Sequence, residues 1–267
     1  FMPSGGSQTP FSGDFPGSEK VYMHPTVRAV AIEGGMDRLL LLRMDMIGVK
    51  PVFVHYLEDR LTETTGYDWH GKIMLGASHT HSSAGRLMPG RLWETIADSF
   101  FPALFERVGE GLFQLAMQAI RDMEAGSFGM GYVETDALHD DRRCENPAVE
   151  DGRLFVLRFD GEEGKPKALI LVHSIHGTVL GSSELNFSRD ILGALEDKVV
   201  HSFDHPVEVL FFQSGTGDMS PDSPDEVPAG SFASQYSRME GIGQIAADLV
   251  AELVPNIPVS SDIALGG

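Results

Sequence analysis

Hydrophobic residues in this chain fall into two patterns, which alternate along most of its length. Short apolar runs of about four to eight residues, bounded by glycine or turn-forming residues, are typical of β-strands. We predict strands at residues 27–32, 39–46, 72–75, 128–133, 154–159, 168–173 and 207–212. Longer stretches with helical spacing predict helices over residues 49–64, 92–123, 189–203 and 235–254, with Pro102 dividing the second. Because strands alternate with helices, we predict an α/β fold, layered, with a mixed β-sheet flanked by helices.

Four segments show no such periodicity. Polar or Gly- and Pro-rich stretches at residues 1–20, 138–147, 222–230 and 255–267 are predicted to be irregular. Ser188 precedes the predicted helix at 189–203 and is a residue type that caps helix N-termini. A chain of 267 residues can bury a large core. We expect a single domain over residues 1–267, with irregular ends at 1–20 and 255–267.

The chain is strongly acidic, with 20 Lys and Arg against 39 Asp and Glu and a net charge of −19. This charge repels phosphate backbones, so we exclude nucleic acid as a partner. The single cysteine, Cys144, excludes an internal disulfide and a zinc site built from cysteines. No apolar run approaches the ~20 residues that cross a bilayer, so no transmembrane segment is predicted. Because residue 1 is Phe1, any signal peptide would already be absent, and we expect an extracellular or periplasmic location.

Two histidines follow the predicted strand at 72–75. In extended backbone, side chains at i and i+2 leave on the same face, roughly 6.6 Å apart, so His79 and His81 should point together. The residues after them are Ser, Ser, Ala and Gly, which leave room for another group to approach. One interpretation is a pair of loop histidines that bind backbone groups, and the other is a reactive or metal-binding pair.

Three predicted strand ends carry chemically active side chains: His79 with His81, His176, and Ser220. In α/β folds, sites form at the carboxyl ends of strands, so these residues are expected to share one site. Two imidazoles from different strands are the beginning of a zinc site, which needs about three protein ligands. His173 lies within its strand and is interpreted as a packed core residue.

Two other kinds of site are excluded by the sequence near Ser220. Gly215-x-Gly217 follows a strand, as in dinucleotide-binding turns, but Ser220 stands in the slot of the third glycine and Pro221 follows it. No Gly-x-Ser-x-Gly motif occurs at Ser220 or Ser78, so a nucleophile elbow is absent.

In combination, several motifs resemble the neutral (non-lysosomal) ceramidases, in the order that this family has them. The segments are Ser78-His79-Thr80-His81-Ser82, His176-Gly177-Thr178, Asn186-Phe187-Ser188-Arg189-Asp190, Phe212-Gln213-Ser214 and Gly217-Asp218-Met219-Ser220-Pro221. Asp141-Arg142 with Asn146-Pro147 is similar to a further loop of the family. The resemblance extends from about residue 27 to the last helix, and the combination is specific although no single motif is.

The resemblance implies a zinc-dependent amidohydrolase acting on an N-acyl lipid such as ceramide. Zinc would polarise the amide carbonyl and lower the pKa of bound water towards ~7. The implied zinc ligands are His79 and His176. The implied catalytic groups are His81, for a proton or the oxyanion; Arg142, for a substrate oxygen; and Ser220, for a reacting or proton-relaying hydroxyl. Gly217 and Asp218 would line the substrate site. Whether Ser220 or water attacks is left open.

The sequence departs from the family in two places. Ser82-Ser83-Ala84-Gly85-Arg86 stands where the family has Ser-Gly-Pro-Gly-Gly, so the head group recognised can differ. An acylated peptide or amino acid is therefore an alternative substrate, and a metal-free binding module is an alternative function. The family's Glu and Tyr zinc ligands have no counterpart here, so we expect a second chain or a missing C-terminal segment to supply them, with Asp190 or Asp218 as the alternative.

Overall fold

The computed structural model describes residues 18, 20–143, 151–181, 184–221 and 234–265. The strands are β1 (Lys20–Val21), β2 (Val27–Gly34), β3 (Asp37–Met44), β4 (Ile73–Ala77), β5 (Ser127–Glu134), β6 (His139–Asp141), β7 (Arg153–Asp160), β8 (Pro166–His173), β9 (Asn186–Phe187), β10 (Glu208–Gln213) and β11 (Met219–Pro221). The helices are α1 (Pro51–Thr65), α2 (Arg91–Ala97), α3 (Pro102–Arg121), α4 (Asp190–His201) and α5 (Gln235–Leu253), and a 3₁₀ turn follows at Val254–Asn256. All seven predicted strands and the predicted helices are present, with bounds shifted by a few residues.

The strands form two larger sheets rather than the single sheet that the sequence suggested. One sheet has four strands in the order β10-β8-β7-β5, and the other has three in the order β2-β3-β4. Each is mixed, because β10 pairs with β8 and β3 pairs with β4 in parallel, while their other pairings are antiparallel. The predicted α/β class is therefore confirmed, and the number of sheets is corrected.

The two sheets stack face to face with helices on both outer sides. Side chains of β3 alternate between two cores, so that Leu40 and Leu42 face α1 and α3 while Leu41 faces the other sheet. Leu41 packs there in a cluster with Leu210 and Phe212. The opposite face of the four-stranded sheet is covered by α4 and α5. The period of two in the strands thus produces a four-layered arrangement, helix–sheet–sheet–helix.

Proline and serine set several helix starts. Pro51 and Pro102 occupy the first turn of α1 and α3, where a missing N–H removes no helical hydrogen bond. Ser234 caps α5 and accepts from the N–H of Ser237 at 3.2 Å. The helix α4 begins one residue later than predicted, at Asp190, and Arg189 is in the N-cap position. The Ser188 hydroxyl nevertheless accepts from the N–H of Asp190 at 3.0 Å, so it still binds the start of this helix.

The predicted irregular loop at residues 138–147 contains a short strand. Residues His139–Asp141 pair with Met219–Pro221 in an antiparallel two-stranded sheet. The pairing partner lies far along the chain, so no local pattern revealed it. Residues 144–150, with Cys144, Asn146 and Pro147, lie outside the described residues, as do residues 222–233 with the predicted loop 222–230.

The described part of the chain has no helix that is long and apolar enough to cross a membrane. The expectation of a single domain over residues 1–267 stays a prediction.

Candidate metal centre

Two loops, one from each large sheet, meet at the same edge of the molecule. The first follows β4, which crosses β10 so closely that a Cβ on Gly76 would lie 2.7 Å from the ring of Phe212. The second follows β8, which is parallel to β10. Because β4 is parallel to β3 and β8 to β10, the carboxyl ends of all four strands lie where the loops meet. The two loops therefore meet at carboxyl strand ends, which is where the sequence predicted a shared site.

The loop after β4 carries His79 and His81. The strand ends at Ala77, and His79 has a φ of 64°, in the left-handed region. The side chains therefore converge through a turn, and the expectation of extended backbone at this pair is wrong. The turn is fixed on the end of β3, where the N–H of Ser78 donates to the carbonyl of Met44 at 2.9 Å and that of His79 to Met46 at 3.0 Å.

The loop after β8 carries His176, three residues past the strand. Its N–H donates to the carbonyl of Met219 at 2.9 Å. Gly177 lies against the first loop, and a Cβ there would be 2.6 Å from the carbonyl oxygen of His79. Glycine at this position is what allows the two histidine-bearing loops to approach each other.

The three imidazoles converge on one point. The Nε2 atoms of His79 and His176 are 3.2 Å apart, and those of His79 and His81 are 3.5 Å apart. The Nδ1 atom of His79 is 2.6 Å from the carbonyl of Ile47, and that of His176 is 3.0 Å from the carbonyl of Thr216. A carbonyl only accepts, so both Nδ1 atoms must carry the proton, and both Nε2 lone pairs face the centre.

Burial keeps these imidazoles neutral. His81 and His176 are buried and His79 is partly buried. Loss of solvation lowers the pKa of His79 and of His176, and the nearby positive charge of Arg142 lowers both further. Loss of solvation, with the charges of His79, His176 and Arg142, lowers the pKa of His81 to about 3. Neutral imidazole is the form that binds a metal, so the titration state matches the geometry.

The separations of the nitrogens fit a tetrahedral metal ion. Zinc–nitrogen bonds of about 2.0–2.1 Å at tetrahedral angles place two ligand nitrogens about 3.3 Å apart. The observed 3.2 and 3.5 Å lie on either side of that value. Two neutral Nε2 lone pairs this close repel each other unless a cation lies between them. His79, His81 and His176 are accordingly a group that can hold a metal, and within the described residues no carboxylate joins them.

Arg142, Gly217 and Asp218 lie together beside this cluster. The Arg142 guanidinium donates to the carbonyl of Gly217 from Nε at 3.2 Å and from Nη2 at 2.6 Å. Its backbone N–H donates to the carbonyl of Asp218 at 2.9 Å. The positive charge of Arg142 also contributes to the lowered pKa of all three histidines. Ser220 lies in β11 opposite Asp140, next to the Met219 carbonyl that binds His176.

Sequence reasoning missed several supporting residues. Gln213 donates from Nε2 to the carbonyl of Ser78 at 2.9 Å, and Thr80 donates from Oγ1 to the carbonyl of Ser188 at 2.9 Å. The Asp190 carboxylate is fully buried and accepts backbone N–H groups, so it is not one of the clustered ligands. His173 is fully buried and binds His139, which confirms its interpretation as a packed residue. Thr80 and Ser188 both lie within motifs that resemble the ceramidases, and this was the available sign in the sequence that they support the site.

Comparison with known proteins identifies the fold. No protein-family model and no curated protein matches the sequence. Among solved structures, a neutral ceramidase from Pseudomonas aeruginosa is similar over 95% of this chain and 42% of its own, with a TM-score of 0.82 and 20% identity. A ceramidase complexed with C2 is similar over 95% of this chain and 41% of its own, with a TM-score of 0.81 and 19% identity. The chain has the fold of these ceramidases and spans about two fifths of their length, which confirms at the level of the fold the resemblance seen in the motifs.

Proposed function

We propose that this chain carries part of the active site of a zinc-dependent amidohydrolase that cleaves the amide bond of a ceramide-like N-acyl lipid. The observation that carries the proposal is the convergence of His79, His81 and His176, with two Nε2 atoms 3.2 Å apart, inside a ceramidase fold. Burial and the carbonyl contacts of the Nδ1 atoms support metal binding by neutral imidazoles.

In this proposal, His79 and His176 bind the zinc ion. A zinc ion held there supplies Lewis acidity towards the amide carbonyl of the substrate. His81 lies next to His79, with their Nε2 atoms 3.5 Å apart, and in this proposal it takes the proton from the attacking group and returns it to the leaving amine. Either the Ser220 hydroxyl or a water molecule is the attacking group.

The remaining proposed roles concern substrate binding. Arg142 is exposed, and its guanidinium, already directed at the Gly217 carbonyl, can bind a substrate oxygen. Gly217 is exposed and Asp218 is partly exposed, and in this proposal the two residues contact the substrate. Ser220 lies in β11, Gly217 and Asp218 directly precede that strand, and Arg142 directly follows β6, so the four residues lie in and beside one two-stranded sheet.

The coordination of the metal requires at least one more group. Two histidines are fewer than the three or so protein ligands of a catalytic zinc site. If His81 acts on protons, the further ligand comes from outside the described residues, since no carboxylate joins the cluster within them. We propose that a second chain or a further segment supplies it, as the resemblance implies. If instead His81 is the third ligand, the centre is complete with three imidazoles.

A second candidate substrate is favoured by the loop after His81. Ser82 and Ser83 are buried, and Arg86 has a φ of 61° and a guanidinium 5.4 Å from the centre of the Phe101 ring. Ser82 matches the family's pattern, whereas Ser83 and Arg86 stand where the family has glycine. An acylated peptide or amino acid, whose charged head group differs from that of ceramide, is therefore the alternative substrate.

One experiment on the purified protein, prepared without chelators, tests these proposals. Metal content, intact mass and the products released from a panel of ceramides, N-acyl peptides and N-acyl amino acids are measured together. Stoichiometric zinc with release of fatty acid from ceramide is the expected result, and removal of zinc should abolish the release. Release only from acylated peptides or amino acids supports the second candidate.

The other outcomes are equally informative. Protein without metal that binds N-acyl compounds unchanged is a binding module, and the proposed function is then wrong. Zinc binding that appears only when intact mass shows a second chain supports the missing ligand. The extracellular or periplasmic location stays a prediction, and fractionation of the producing cells tests it.

A further inference from the structure

Residues 188–190, Ser-Arg-Asp, lie between the two histidine-bearing loops and bind both. On the side of His79, the N–H of Ser188 donates to the carbonyl of Ser82 at 2.8 Å. The carbonyl of Ser188 accepts from Thr80 Oγ1 at 2.9 Å. Thr80 is the residue between His79 and His81, so this contact fixes the centre of the double-histidine turn.

On the other side, Asp190 binds the loop that carries His176. Its carboxylate oxygens accept from the N–H groups of Val179 and Leu180, each at 3.1 Å. One of these oxygens also accepts from the N–H of Ile191 at 2.6 Å. Val179 and Leu180 lie outside every strand and helix of the described residues, so their N–H groups have no partner in a helix or a sheet ladder. The Asp190 carboxylate accepts their hydrogen bonds instead.

Two features show that this carboxylate is held in place by its surroundings. Asp190 is fully buried, where an ionised carboxylate is stable only with several donors around it. Its φ is 53°, in the left-handed region that non-glycine residues rarely adopt. Such strain persists only where the surrounding contacts determine the backbone, and it is concentrated at functional sites.

Arg189, the middle residue of the segment, connects it to β3 through buried ion pairs. Arg189 pairs with Glu196, whose carboxylate also pairs with Arg43 and accepts from the N–H of Phe211 at 2.9 Å. Arg43 belongs to β3, and the end of β3 is where Ser78 and His79 are bound through Met44 and Met46. The segment and the base of the double-histidine turn are therefore connected through buried ion pairs.

We propose that residues 188–190 form a clamp that sets the distance between the imidazoles of His79 and His176, with Asp190 as its positioning residue. The inference rests on the proposed function, because the distance matters only if the two imidazoles share a ligand. The clamp binds the first loop through Ser188 and the second through Asp190, so a change at either end moves one ring relative to the other.

The test compares Asp190→Asn with Asp160→Asn in the full chain. The first substitution keeps the size of the side chain but replaces one acceptor oxygen with a donor that faces backbone N–H groups. Asp160 is also buried and binds Arg158 at 2.7 and 2.8 Å, but it pairs with Pro166 at the opposite end of β8, roughly 23 Å from His173 along the strand. The control therefore removes a buried carboxylate without touching the clamp.

Three quantities are measured for each variant: zinc affinity by competition with a chromogenic chelator, hydrogen exchange of the Val179 and Leu180 amides in metal-free protein, and the unfolding temperature. Asp190→Asn should weaken zinc binding roughly 10- to 100-fold, as for loss of a group that orients a ligand, and should accelerate exchange at both amides. Asp160→Asn should lower the unfolding temperature and leave zinc affinity within about twofold.

Thr80→Val breaks the clamp at its other end and carries the same test if Asp190→Asn does not fold. Unchanged zinc affinity and unchanged exchange in a folded clamp variant overturn the inference. An equal loss of zinc affinity in Asp160→Asn also overturns it, because general destabilisation would then explain the effect. If the wild-type protein binds no zinc, the proposed function fails, and the exchange measurement, made without metal, decides the clamp by itself.

Discussion

The protein buries two groups of histidines near one edge of its sheets, and they differ in how their ring nitrogens are paired. His139 and His173 form a closed pair, in which the Nδ1 of His139 lies 3.0 Å from the Nε2 of His173. The Nδ1 of His173 lies 3.0 Å from the carbonyl of Arg153, so that nitrogen donates and the Nε2 accepts. Each of these two contacts has one donor and one acceptor.

The cluster of His79, His81 and His176 has the opposite arrangement. His79 and His176 both direct their Nδ1–H groups at carbonyls, and their Nε2 lone pairs then face each other at 3.2 Å. Burial lowers the pKa in both groups, to about 4 for His173 and to about 3 for His81. A low pKa therefore does not distinguish the two groups, whereas the pairing of the nitrogens does.

The largest expected effect is on the metal itself. Replacement of His79 or His176 by Ala removes one of two lone pairs that converge on the ion, so stoichiometric zinc and amidase activity should be lost together. His173→Gln is the matched control, since Gln can donate to the Arg153 carbonyl and accept from His139, and it should retain zinc. Metal analysis of the three purified variants checks this, and zinc retained in His79→Ala would contradict the assignment.

A smaller effect on metal binding is expected from His81 and Ser220, the two proposed catalytic groups. His81→Ala and Ser220→Ala should leave zinc bound while kcat falls by roughly 10² or more, as for loss of a positioned acid–base group. Metal content and steady-state kinetics on the same samples separate binding from catalysis. If His81→Ala empties the site, His81 is the third ligand and not the proton-transfer group.

The smallest effect concerns the closed pair and depends on pH. Burial lowers the pKa of His173 from 6.5 to about 4. Between these values the unfolded chain binds a proton that the folded protein does not, so this contribution to stability is complete above pH 6.5 and is lost as the pH falls to about 4. Two and a half pKa units correspond to about 3 kcal/mol.

Denaturant unfolding of wild type and His173→Gln between pH 4 and pH 7 measures this difference. The free energy of unfolding of the variant should fall less steeply with decreasing pH, although it is lower at pH 7. Parallel curves for the two proteins would show that His173 does not titrate across this range and would contradict the lowered pKa of this histidine.

Much of the candidate site could be predicted because it depends on local patterns. The strand before His79 and the strand before His176 are short apolar runs, and the rule that sites form at carboxyl strand ends brought the two residues together. The predicted extended backbone at His79 and His81 was wrong, since His79 lies in a turn with a φ of 64°. The small residues after His81 indicated room for another group to approach, but they did not indicate that the backbone turns at His79.

Supporting residues could not be predicted because their partners are distant in sequence. Asp190 resembled a residue of a first helical turn, and nothing local indicated that its carboxylate binds Val179 and Leu180. The β6–β11 pair was missed for the same reason, since a three-residue strand carries no periodicity of its own.

Local patterns were enough to predict the longer strands and helices, the α/β class and the histidines that converge, because these follow from the spacing of apolar residues and from the chemistry at strand ends. The division of the strands into two stacked sheets depends on tertiary packing, because Leu40 and Leu41 are equally apolar although one faces helices and the other a sheet. Packing also determines which histidines form a closed pair and which present converging lone pairs. That difference depends on whether a carbonyl or another ring lies within hydrogen-bonding distance of each nitrogen, and the loops bring these groups together from distant parts of the chain.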